Sequence, residues 1–98
     1  MRIVIHVQHF FTEEGRRAFP ALVDECREAL LEIPGFTSVR RLAPVEPERR
    51  QECHATVEFE NQEVHKAWSE SPQHERMVAK FRQHWTRPPE LRIFKVEE

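Results

Sequence analysis

Apolar and polar residues alternate from Arg2 to His9: Ile3, Ile5 and Val7 fall on one side, Val4, His6 and Gln8 on the other. A period of two predicts a strand with one apolar face and one mixed face. The period then changes. Phe19, Leu22, Val23, Cys26, Leu30 and Ile33 recur at helical spacing, and Thr12 before Glu13 and Glu14 supplies a helix start. Pro20 falls inside this stretch, where a proline removes a hydrogen bond and crowds the preceding turn, so a kink is expected. Pro34-Gly35 ends the helix. A second strand is expected from Phe36 to Ala43, then a polar loop, Pro44 to Arg50, with a mobile tip. The third strand, Glu52 to Glu58, has the cleanest alternation. Cys53, Ala55, Val57 and Phe59 oppose His54, Thr56 and Glu58.

Beyond Phe59 the pattern predicts a broken helix. Asn61 is a good N-cap, with Glu63 in the first turn and Val64, Ala67 and Trp68 on one face. Ser71-Pro72 stops that helix and starts another, the proline sitting where no N–H is needed. His74, Val78, Phe81 and Trp85, with Met77 beside them, carry this second helix as far as Trp85. Pro88-Pro89 then predicts an extended connection, and Leu91 to Val96 a last strand.

The order is strand, helix, strand, strand, helix pair, strand. It predicts an α+β fold of the ferredoxin-like βαββαβ type with an antiparallel four-stranded sheet. Right-handed crossovers put the helices on one sheet face and set the first and third strands side by side. The other face is left open, with Val4, some of Phe36 or Val39, part of the last strand, His6, Gln8 and His54. A half-apolar open face calls for a cover, and a two-fold dimer, sheet against sheet, is the simplest one.

Composition narrows the classes. Ninety-eight residues make one domain, 1–98, of a size that buries roughly 60–70% of its unfolded surface. A net charge of −2 gives no electrostatic case for nucleic acid. An RNA-binding sheet of this topology would need exposed aromatics on its central strands, where this chain has His54, Thr56 and Glu58. No apolar run approaches the roughly 20 residues of a membrane span, and the first residues are too short for a signal peptide. No membrane partner and a cytoplasmic location are therefore expected. Cys26 and Cys53 each fall on an apolar face and read as reduced core residues.

The strand ending in Phe59-Glu60, the helix carrying Trp68, and Ser71-Pro72 followed by His74 together resemble the antibiotic biosynthesis monooxygenase family, as does the turn Pro34-Gly35-Phe36. The resemblance covers nearly the whole chain in order of elements. It implies a dimeric α+β barrel with a substrate pocket between helices and sheet, lined by an aromatic residue near Trp68. It also implies a cofactor-free oxygenase in which the substrate's own carbanion reacts with oxygen, on a small aromatic or quinol-like compound. The haem-degrading branch fits less well. Gln8 would have to replace an Asn, and the position of the His ligand holds Val78.

The candidate site residues form two sets. Trp68 and His74, with Phe81, flank the gap at the helix break, a natural place for a small apolar ligand. His74 is the candidate catalytic base, because an imidazole titrates near neutral pH. The plainer reading makes Trp68 core and His74 a helix-end residue. His6, Gln8 and His54 form the second set, polar substrate contacts or a dimer-facing cluster. Two histidines could begin a metal site, but no carboxylate at tight spacing completes it, so no metal is expected. His9, His65, His84 and Trp85 take structural readings, with His65 exposed. A homodimeric module that binds a small ligand or a partner without catalysis fits the same residues.

Overall fold

The computed structural model describes residues 1–98. Its elements are β1 (Ile3–Phe11), α1 (Glu13–Leu30), β2 (Phe36–Leu42), β3 (Cys53–Phe59), α2 (Gln62–Ser69), α3 (Pro72–Arg82) and β4 (Trp85–Lys95). The sheet has the order β2-β3-β1-β4, and every neighbouring pair is antiparallel. This is the expected ferredoxin-like topology, with β1 and β3 at the centre.

Strand phase decides what is buried. Ile3, Ile5, Cys53, Ala55, Phe59 and Val39 turn their side chains towards the helices and are buried. From α1, Phe19, Leu22, Val23 and Leu30 meet them. Val39 and Phe36 both pack on this side, so neither contributes to the open face. Each helix starts on a capping side chain. Thr12 accepts from the Gly15 amide, Asn61 from Val64 and Ser71 from His74. The helix α1 runs unbroken through Pro20, whose ring is exposed; the proline, about two turns into the helix, leaves the Arg16 carbonyl without its usual amide partner.

The largest departure lies at the C terminus. The helix α3 stops at Arg82 and β4 begins at Trp85, so Trp85 is a strand residue rather than the last member of a helical stripe. Pro88 and Pro89 lie within β4, not in a connection before it. Two circumstances allow this. β4 is an edge strand, and its register against β1 shifts between Gln8 and Phe10 and again before Phe11. The loop after β2 is also more ordered than its composition suggests. A short 3-10 turn, Pro47–Arg49, is held by Arg49 between Glu46 and Glu52 at 3.4 and 2.7 Å.

Two glycines are required by close approach. Gly35 has a φ of 92°, and a Cβ there would lie 2.7 Å from the Val64 side chain. The turn into β2 is therefore packed directly against α2. Gly15, in the first turn of α1, lies so close to His84 that a Cβ would meet that residue's Cβ at 2.6 Å.

Candidate functional site

A cavity of about 290 Å³ lies between the helices and the sheet. Its lining is mostly aliphatic and aromatic. The hydrogen-bonding groups on it are three imidazoles (His9, His65 and His74), two indoles (Trp68 and Trp85) and the Cys26 thiol. Burial pushes the Cys26 thiol up to about 11, which leaves it protonated and inert at neutral pH.

One end of the cavity is built on the helix break. The Ser71 hydroxyl accepts from the His74 amide at 3.1 Å and donates to the Trp68 carbonyl at 2.7 Å. A single side chain thus joins the end of α2 to the start of α3. Trp68 and His74 meet edge to face across that joint, ring centroids 5.5 Å apart and planes at 78°. Trp68 is buried, packing with Ile3, Ile5, Leu30 and Phe59, so it is core and cavity wall together. Burial lowers the pKa of His74, against the opposing pull of Glu75 and the Ser69 carbonyl. The ring is therefore neutral at pH 7 and able to accept a proton.

His65 joins this end. It lies half-buried against Phe59, ring centroids 5.6 Å apart, rather than in solvent. Its pKa is lowered by burial and then by the neighbouring His74. A proton on one of these imidazoles opposes a proton on the other.

The other end is aromatic. The inward phase of β1 continues past Ile5 and Val7 to His9, which stacks on Phe11 and on Phe81, both at 4.8 Å between centroids. The Trp85 indole N–H donates to His9 Nδ1 at 3.2 Å. Burial pushes His9 down to about 4. His74 and Phe81 are seven residues apart on α3, so the two ends are separated by about 10 Å of helix rise.

The structure brings Trp68, His74 and Phe81 together on one cavity, as the spacing predicts. It sets His6, Gln8 and His54 on the opposite face of the sheet, away from that cavity. Gln8 pairs with His54 across β1 and β3, and His6 Nε2 lies 3.0 Å from His54 Nδ1. His54 Nε2 in turn lies 2.7 Å from Glu52. The carboxylate beside His54 is therefore Glu52; Glu58 pairs with Arg2. Burial, the His54 ring and Arg92 all lower the pKa of His6. No three His, Cys, Asp or Glu side chains meet in a way that could hold a metal ion. Val78 lines the cavity and offers no donor atom for a haem.

His9, His65 and Trp85 are cavity residues that the sequence pattern assigned to other roles. For His9 the signal was available: it keeps the phase of Ile3, Ile5 and Val7. His65 stands one residue after Val64 and three before Trp68, on the covered side of α2. Trp85 could not be placed without the register shift in β4.

The family model for antibiotic biosynthesis monooxygenases matches residues 2–80. The chain belongs to that family. Solved structures agree on the fold across the whole chain. SnoaB from Streptomyces nogalater, a cofactor-independent oxygenase solved as a single-site variant, is 12% identical with a TM-score of 0.82, over 99% of this chain and 94% of that one. A conserved protein from Methanosarcina mazei Go1 is 13% identical with a TM-score of 0.83, over 99% and 94%. Rv0793 from Mycobacterium tuberculosis is 14% identical with a TM-score of 0.80, over 100% and 97%. Identities this low establish a shared fold and leave chemistry to the site. No functionally curated relative matches the chain. The family match includes Trp68 and His74 and stops one residue short of Phe81, so Phe81 and Trp85 lie outside it. No helix of this family member is long and apolar enough to cross a membrane.

Proposed function

We propose that this protein is a cofactor-free monooxygenase of the antibiotic biosynthesis type, acting in the cytoplasm on a small aromatic or quinol-like compound. The observation that carries the reading is the pairing of a neutral imidazole, His74, with a cavity lined mostly by aliphatic and aromatic side chains. At about 290 Å³ the cavity sits at the small end of ligand pockets, which run to roughly 300–1,000 Å³, and suits a compact flat ring.

A phenol with an open para position illustrates the reaction. The phenol binds as its phenolate, its hydroxyl proton passing to solvent, and negative charge reaches the para carbon, which lies at the His74 end. That carbon gives an electron to O2 and couples with the resulting superoxide, forming a C–O bond and a peroxide anion. A proton taken back from solvent makes the hydroperoxide, and His74 removes the para C–H proton. Loss of water then leaves a second carbonyl, so phenol plus O2 gives quinone plus water. One oxygen atom enters the ring and the other leaves as water, its two hydrogens balancing the protons lost from the substrate's O–H and C–H. The substrate supplies every electron. The chain supplies a base, a dry pocket and an orientation.

The reading includes a two-fold homodimer formed across the open sheet face. On that face Phe94 is 50% exposed beside Val4, and on the edge strand Leu91 and Ile93 are each 58% exposed. Sedimentation of the native protein should give twice the chain mass, and Phe94→Glu should shift it towards monomer. A single-chain mass for the native protein would remove the dimer.

Native mass spectrometry for a co-purified ligand, followed by oxygen uptake against quinols and polyphenols, tests the activity. Uptake with one chemical class supports the oxygenase. A bound aromatic with no uptake would favour a non-catalytic ligand-binding module built on the same cavity.

A further inference from the structure

The tautomer of His9 is fixed by a neighbour. An indole N–H only donates, so His9 Nδ1, 3.2 Å from Trp85 Nε1, must be the acceptor and carry no proton. In a neutral imidazole the remaining proton is then on Nε2. That nitrogen makes no hydrogen bond within the chain, and it is not a sealed, unsatisfied atom either. The ring is part of the cavity lining. Stacking on Phe11 and Phe81 fixes the ring plane. A preorganised donor that needs no movement when a ligand arrives is what stabilises a developing oxygen anion.

We propose that His9, held as its Nε2–H tautomer by Trp85, is the hydrogen-bond donor for the anionic oxygen of a phenolate or enolate bound in the cavity. The site would thereby select ionisable ring oxygens over hydrocarbons and alkyl ethers of the same shape. The proposal rests on the reading of the cavity as a site for phenolic compounds, and it separates two roles along the cavity. His74 accepts protons at the helix break; His9 donates a hydrogen bond at the Phe81 end. The strongly lowered pKa of His9 suits that division, since the ring keeps its neutral form through the whole working range. It is a poor base and a steady donor.

The experiment uses 4-nitrophenol, whose ionised form is coloured, titrated with pH while bound to the full-length protein. Working in the His74→Gln background silences turnover and removes the proton acceptor at the far end. The bound phenol should ionise at lower pH than the free one. His9→Phe keeps an aromatic in the stack and should weaken phenolate binding about tenfold to a hundredfold, the range of a charge-assisted hydrogen bond. Binding of 4-nitrotoluene, which has no ionisable oxygen, should not change in that variant. Trp85→Phe, which releases Nδ1, should fall between the two. Equal phenolate affinities for the parent and His9→Phe, or no binding of 4-nitrophenol to the parent, would overturn the proposal. A His9-dependent shift in a protein that consumes no oxygen would uphold the donor and remove the oxygenase.

Discussion

Trp68 and His74 belong to different helices, yet their rings meet edge to face at 5.5 Å because Ser71 bonds to the backbone of both. The joint between α2 and α3 is thus the part of the scaffold that fixes the candidate base. Ser71→Ala removes the N-cap and the bond to the Trp68 carbonyl together. A cap of this kind is worth about 1 kcal/mol, with a range of roughly 0.5–2. Urea denaturation should show a loss of that size. Any oxygen uptake should fall further than the stability loss explains, because His74 is no longer held against Trp68.

Acid should destabilise the fold through buried histidines. His9 has a pKa of about 4 in the folded chain, below its ordinary value of 6.5. The unfolded chain therefore takes up the proton first. The stability that His9 contributes by remaining neutral is whole above pH 6.5 and is lost as the pH falls from 6.5 towards 4. It amounts to at most about 3 kcal/mol. His6, His65 and His74 are shifted in the same direction and steepen the loss. Melts of His9→Phe should show a shallower acid limb than the wild type. Identical limbs would mean that His9 is no more buried than an ordinary surface histidine.

Gly35→Ala should be more harmful than a turn substitution usually is. The residue needs a φ of 92°, and the new Cβ would press on Val64 at 2.7 Å. Strain of the first kind costs of order 1–3 kcal/mol, and overpacking of the second kind a similar amount. A thermal melt should place this variant well below the wild type. Val64→Ala should recover part of the loss by making room for the methyl group.

Thiol labelling offers an inexpensive check on the core. Cys26 is pushed up to about 11 and Cys53 is also raised, in both cases mainly by burial. Neither residue should react with a thiol reagent at pH 7.5 in the folded protein, and both should react in denaturant. Rapid labelling of Cys26 in the native state would show that the cavity wall opens.

Much of the fold was legible because strand phase and helix caps are local properties. The alternations from Ile3 to Val7 and from Cys53 to Phe59, and the caps Thr12, Asn61 and Ser71, needed no knowledge of the partner strands. Trp68, His74 and Phe81 were placed at the helix break by helical spacing together with the family resemblance, and all three line the cavity. The C-terminal strand was misread for a tertiary reason. Pro88-Pro89 argues against a strand except at an edge with a register shift, and a single chain pattern announces neither. Losing Trp85 from the sheet concealed its bond to His9, a partner 76 residues away in sequence. The second candidate set shows the converse. His6, Gln8 and His54 do come together, but in the phase opposite to Ile5 and Val57, and so on the face away from the cavity. Residue type suggested a site; phase decided which side of the sheet it occupies.

The most direct measurement is the rate of oxygen uptake by the wild type and by His74→Gln with the same phenolic substrate, alongside the yield of quinone. The account expects one quinone formed per O2 consumed by the wild type. It expects the variant, folded and still able to bind the ring, to be slower by about 10²–10⁴, the usual contribution of a general base. Uptake by the variant at the wild-type rate would contradict the role of His74. A wild type that binds phenols yet consumes no oxygen would contradict the oxygenase itself.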